Sequence, residues 1–240
     1  MPDEKMGKEK KKTAHVVAEQ QEKAMEKQDS SLKGIARLWR EAKARKEIRN
    51  FAIFAGLLSA AVAGRVALQY VPSVEPIIPF AVLAGLLLGV KEGFTVGGAA
   101  YIISNFFIWG LQGPWTIFQA IGAAFPGAFA GIFGKIKKPG KWDLVWISLA
   151  GTIFFEIVMN ISGALMGIGL LGAFSIFMIP LYFATSLPFS ITHIITNVIF
   201  ARAFAPLLKL RRHEDELKIV SYIRYNPDGT SANIRVYKAE

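Results

Sequence analysis

Between residues 51 and 205 the chain is a succession of apolar runs, each roughly 14 to 25 residues long, divided by short turns rich in glycine, proline or lysine. About 20 apolar residues reach across the hydrocarbon of a bilayer, and a segment in that medium must satisfy its own backbone N–H and C=O groups. The pattern therefore predicts an all-α membrane protein, a compact bundle of six transmembrane helices. Charge agrees, because only 19% of residues are charged and most of these gather at the two ends. A net charge of +10 can point to nucleic acid, but here the basic residues border apolar spans and no nucleic-acid motif accompanies them. No nucleic acid is expected as a partner. The chain has no cysteine, and His15, His193 and His213 are too scattered for a zinc motif, so neither metal nor cofactor is expected.

Residues 1–30 are rich in lysine, glutamate and glutamine with almost nothing to bury, the composition of a disordered or loosely helical basic leader. In 31–50, Leu32, Ile35, Trp39 and Ala42 recur at helical spacing among Lys33, Arg37, Arg40, Lys43, Arg45 and Lys46. This predicts an amphipathic helix on an anionic membrane surface, with lipid as its partner. Ala61-Val62-Ala63 imitates a signal-peptidase site, yet a charged leader of about fifty residues is too long for a secretory signal.

The transmembrane domain is expected over 51–208, with spans at 51–71, 77–90, 94–111, 115–134, 144–165 and 184–208. A tight Lys91-Glu92-Gly93 turn joins the second and third spans, and 166–182, broken by Pro180, folds back as an outer loop. With the N-terminus inside, the loops after spans one, three and five hold no lysine or arginine, whereas those after spans two and four hold five. The positive-inside rule then makes both termini cytoplasmic and the protein a multi-pass protein of the plasma membrane. Residues 209–240 form a cytoplasmic tail in which 218–225 and 232–238 flank Asn226-Pro227-Asp228-Gly229, a β-hairpin pattern.

Small residues repeat along the first span, with Ala52, Gly56, Ala60 and Gly64 in one row and Ala55, Ser59, Ala63 and Ala67 in the next. Such a face lets another helix approach closely, within the protein or on a second subunit. Arg65 interrupts it, and three outcomes are open: snorkelling to the interface, pairing with Glu75, or meeting an anionic group.

Polar residues concentrate in four i, i+4 pairs: Asn105 with Trp109, Trp115 with Gln119, Glu156 with Asn160, and His193 with Asn197. Gly113-Pro114 turns the chain between the first two, an arrangement in which the two faces can meet around a ligand. Tryptophans near a boundary are commonly an interfacial belt, but a belt leaves Asn105 and Gln119 unexplained. Intramembrane polar groups face a cavity or one another, because an unsatisfied one costs several kcal/mol in hydrocarbon. The candidate ligand-binding residues are thus Asn105, Trp109, Gln112, Trp115, Gln119, Glu156, Asn160, His193 and Asn197, with interhelical hydrogen bonding as the alternative. Gly167-x-Gly169-x-x-Gly172 lacks the strand of a dinucleotide site, Asn160-Ile161-Ser162 lies inside a span, and Gly131–Lys135 lacks phosphate-loop spacing.

Three stretches resemble the substrate-binding S components of energy-coupling factor (ECF) transporters: 79–93 (P-F-A-V-L-A-G-L-L-L-G-V-K-E-G), 105–131 with its G-P-W-T-x-x-Q core, and 187–200 (L-P-F-S-I-T-H-I-I-T-N-V-I-F). Family members often carry an acidic residue where this chain has Ser190. The resemblance covers about 51–212 and implies a non-catalytic uptake subunit with six spans and a vitamin-sized pocket near the outer face. It also implies a small-residue face, here Ala52, Gly56, Ala60 and Gly64, that docks on a transmembrane T component, and two ATP-binding-cassette ATPases that power the complex. The expected ligand is a vitamin or related micronutrient, with a leaning to a corrinoid. The rivals are a membrane-embedded enzyme using Glu156 and His193 as acid and base and a stand-alone secondary carrier with inverted repeats.

Overall fold

The computed structural model describes residues 2–108, 113–171, 178–212, 219–224 and 233–238. The chain divides into two compact units, Met1–Ala52 and Ile53–Glu240.

The first unit is helical. Helix α1 spans Pro2–Ala67, so residues 2–30, for which a disordered or loosely helical leader is expected, are helix, and no break separates them from 31–50. The composition that discourages a packed core consists of strong helix formers. Their opposite charges also fall four apart, as in Lys23–Glu19 at 2.6 Å, Lys33–Asp29 at 2.6 Å and Arg37–Glu41 at 3.0 Å. Leu32, Leu38 and Trp39 are exposed on this helix.

In the second unit, α1 from Ile53 onward is followed by α2 (Ile77–Leu88), α3 (Val90–Asn105), α4 (Trp115–Ile136), α5 (Lys141–Leu171) and α6 (Met178–Phe204). A 3-10 turn (Ala205–Leu208), a short α7 (Lys209–Arg212) and an antiparallel pair β1 (Ile219–Arg224) and β2 (Asn233–Lys238) complete it. The register runs from Ile219 opposite Lys238 to Arg224 opposite Asn233, within the segments read as a hairpin; residues 226–229 lie outside the described residues. Among the described residues, four helical stretches are long and apolar enough to cross a membrane: Met25–Ala67, Trp115–Ile136, Lys141–Met166 and Ile179–Arg211. The bundle's outer surface is apolar, as on α4, where Ile117, Ile121, Phe125 and Phe129 project outward four apart.

Helix α2 lies at the centre. It is apolar all round, and every residue from Ile77 to Leu87 is buried, the expected place for a helix with no polar face. The break before α3 falls at Gly89, whose φ of 127° suits glycine, not at the expected Lys91-Glu92-Gly93 turn. Gly93 serves packing instead, because a Cβ there would overlap the Gly127 carbonyl. The same crowding recurs at Gly85, Gly97, Gly127 and Gly131, so the backbones of α2, α3 and α4 touch. Close contact of this kind is the principal source of helix association in lipid.

Three further boundaries differ from expectation. Helix α3 stops at Asn105, where 106–108 turn, instead of continuing to 111. The described parts of the expected outer loop at 166–182 are helix: α5 continues to Leu171, and α6 begins at Met178 and takes in Pro180 in its first turn, where a missing N–H leaves no bond unmade. The helix of the last span, α6, begins six residues earlier than 184 and ends at Phe204, and the membrane-length helical stretch runs on to Arg211. At the lysine-rich end, Arg211 Nη1 donates to the Leu86 carbonyl at 2.6 Å and Nη2 to the Gly134 carbonyl at 2.6 Å, so one guanidinium satisfies the last turns of two helices.

Candidate functional site

Arg65 belongs to the inward face of α1, with Leu57 and Ala61. It is 7% exposed, which excludes snorkelling. Its Nε donates to Glu75 Oε2 at 2.5 Å, and Nη1 donates to Ser104 Oγ at 2.7 Å and Asn105 Oδ1 at 2.5 Å. The guanidinium carbon lies 4.6 Å from the Tyr101 ring centroid. Glu75, between α1 and α2, also accepts from the Tyr101 hydroxyl. A buried charge persists only when paired and hydrogen-bonded, and Arg65 meets both conditions.

Asn105 extends the network across the turn. Its Nδ2 donates to Thr116 Oγ1 and Gln119 Oε1, each at 2.8 Å. Across Gly113-Pro114 the amides of Asn105 and Gln119 are thus in direct contact. Gly113 has a φ of 60°, the left-handed geometry this turn requires. Trp109 and Gln112 lie outside the described residues.

A second cluster joins α5 to α6. His193 Nδ1 donates to Glu156 Oε1 at 2.6 Å, and Ser190 Oγ donates to Glu156 Oε2 at 2.5 Å. One turn away, Asn160 Nδ2 donates to the Glu156 carbonyl at 2.8 Å while Asn160 Oδ1 accepts from Ser186 Oγ at 2.6 Å. The two clusters approach through His193, whose Nε2 lies 3.7 Å from Glu75 Oε1. Phe155 reinforces the junction, stacking on Tyr101 with centroids 5.3 Å apart and meeting His193 edge-on at 5.3 Å. Arg65, Glu75, His193 and Glu156 thus form a chain of alternating character from α1 to α5 and α6. His193 Nε2 is buried without a hydrogen-bond partner among the described residues.

Trp115 and Tyr182 converge on Gly163. A Cβ at Gly163 would come within 3.0 Å of Tyr182 Cδ1 and 3.2 Å of Trp115 Cη2. Asn197 lies deeper in the α5–α6 seam, its Nδ2 donating to Thr152 Oγ1 at 3.1 Å, with Asn197 Oδ1 and Ser148 Oγ unpartnered among the described residues. Of the nine candidate residues, seven are described, and they divide into Asn105–Gln119, Glu156–His193, Asn160, Asn197 and the aromatic Trp115.

Several participants were not singled out: Tyr101, Ser104, Thr116, Thr152, Ser148 and Ser186. A signal for part of this group exists in the sequence, since Ser148, Thr152, Glu156 and Asn160 recur every fourth residue along α5 and share one face. Nothing comparable marks Tyr101, which looks like an ordinary apolar aromatic until Glu75 is placed beside it.

The row assigned to subunit docking splits. Ala52 and Gly56 are exposed, and a Cβ at Gly56 would meet nothing within 4 Å. Ala60 is half-buried against the core, and Gly64 faces inward, where a Cβ would lie 2.7 Å from Pro76 Cγ. The exposed small residues of α1 run instead along Ala52, Gly56, Ser59, Ala63 and Ala67.

No protein-family model matches the chain, and neither a curated protein nor a solved structure matches it.

Proposed function

We propose that this protein is the substrate-specific membrane subunit of an ECF-type importer, binding a vitamin or related micronutrient on the outer side and delivering it inward. In this reading six spans cross the plasma membrane with both termini cytoplasmic, and α1 docks on a T component coupled to two ABC ATPases. The observation that carries it is the convergence of Arg65, Glu75, Asn105, Gln119, Glu156 and His193 inside an apolar bundle, alongside Trp115 and Tyr182. Intramembrane ionisable groups are expensive and mark functional sites by default, and aromatic faces with amides suit a flat heterocycle or a corrinoid. The exposed small face from Ala52 to Ala67 supports docking, because it offers close backbone approach without competing for the core.

The test is native mass spectrometry of gently purified protein for a bound small molecule, followed by its titration into variants. Gln119→Ala and Trp115→Ala are expected to weaken binding by about 1–3 kcal/mol each. Unchanged affinity in both removes the site. Gly56→Leu is expected to abolish assembly with a T component while leaving ligand binding by the isolated subunit intact. The Glu156–His193 contact also fits the acid–base pair of an intramembrane enzyme, a reading favoured if the bound molecule changes mass over time.

A further inference from the structure

A groove of about 600 Å³ lies between the start of α5 and the end of α6, lined by Trp142, Val145, Val198, Ile199, Arg202 and Ala203. Five of its six walls are apolar. Arg202 is exposed in the last turn of α6 and makes no ion pair or hydrogen bond among the described residues. Trp142 is the second residue of α5 and is 56% exposed. The groove sits at the end of the bundle that carries Lys135, Lys137, Lys141 and Lys209.

We propose that this groove is a binding site for an anionic phospholipid, with the phosphate on Arg202 and an acyl chain along Val145, Val198 and Ile199. The inference rests on α5 and α6 lying in a bilayer and is independent of the substrate. An exposed arginine without a partner among the described residues, beside apolar walls, matches a partner that is both anionic and apolar. A hydrated inorganic anion matches the guanidinium alone, leaving the walls uncovered. A neutral lipid covers the walls but leaves the charge without a counter-ion. A guanidinium also holds phosphate with two parallel N–H donors, and basic pockets between helices on the lysine-rich side of a membrane protein attract anionic headgroups. Tryptophan at the headgroup level completes the boundary.

The full-length protein in mixed micelles, titrated with phosphatidylglycerol or phosphatidylcholine, tests this by native mass spectrometry. Wild type is expected to retain phosphatidylglycerol preferentially, and Arg202→Gln to lower that preference about fivefold. Arg202→Lys keeps the charge and is expected to retain most of it. Ala203→Phe, which fills the groove from its exposed rim, is expected to reduce retention of both lipids. Lys209→Gln alters an exposed charge at the same end outside the groove and is expected to change neither. Phosphatidylglycerol with brominated acyl chains is expected to quench wild-type fluorescence more than that of Trp142→Phe. Equal retention of the two lipids by wild type, or equal loss of preference in Lys209→Gln and Arg202→Gln, overturns the proposal.

Discussion

Two regions of the bundle are held together by opposite means. Helices α2, α3 and α4 are joined by the absence of side chains: Gly85, Gly93, Gly97, Gly127 and Gly131 bring backbones so close that an added methyl group would overlap a neighbouring main chain. The junction of α1 and α3 with α5 and α6 is joined by side chains alone, through Arg65, Glu75, Tyr101, Asn105, Glu156 and His193. The first region gains dispersion from dense main-chain contact. The second gains directional bonds, with His193 Nε2 unmatched among the described residues. Close backbone packing and buried hydrogen-bonding groups are thus segregated between the two regions.

The largest expected effect comes from leaving a charge alone in the polar region. Arg65→Met strands Glu75 and is expected to cost about 3–5 kcal/mol, read as the thermal midpoint of the detergent-solubilised protein. Replacing both members, Arg65→Met with Glu75→Leu, is expected to recover much of that loss, since an apolar pair of similar volume often matches a buried ion pair. A silent single variant would show that the polar region holds nothing together.

Overpacking the glycine region comes next. Gly127→Val drives a branched side chain into the Gly93 carbonyl and is expected to cost about 2–3 kcal/mol. Gly56→Val, where a Cβ meets nothing within 4 Å, is the matched control and is expected to leave stability within about 0.5 kcal/mol. Equal losses at both positions would mean that helix propensity, and not contact, sets the effect.

A smaller change sharpens the boundary between structure and site. His193→Gln removes the donor to Glu156 and is expected to cost about 1–2 kcal/mol in the ligand-free protein, with Glu156→Gln in the same chain recovering part of it. The smallest effect is expected in the seam, where a double-mutant cycle on Thr152→Val and Asn197→Leu is expected to return a coupling of about 0.6 kcal/mol. A coupling several times larger would make that seam part of the polar network above it.

Much of the candidate site was legible because amides and carboxylates stand out in apolar sequence. Asn105, Gln119, Glu156, Asn160, His193 and Asn197 all belong to buried or half-buried polar contacts. Their partners were harder to read. Ser190 was noted only as a departure from an acidic residue, yet it donates to Glu156, and Glu75 was one of three options for Arg65 but connects both clusters. Arg211 is one more basic residue past the last span in the sequence, yet it ties the ends of α2 and α4. Of the expected loop at 166–182, the described parts 166–171 and 178–182 are helix, and Pro180 falls in a first helical turn, where proline is tolerated.

The sequence by itself determined that apolar helices long enough to cross a membrane make up the protein, where its charges lie, and which spans carry polar groups. Hydropathy and helical period are local properties, summed over a single turn or span, and no distant residue is needed to evaluate them. Only the tertiary structure decided that α2 is central, that Gly64 faces inward while Gly56 stays open, and that Arg65 reaches Asn105, 40 residues away. In an apolar medium many helix arrangements bury similar area. The choice among them falls to backbone contact at particular glycines and to the pairing of a few buried polar atoms, both of which exist only once two segments meet.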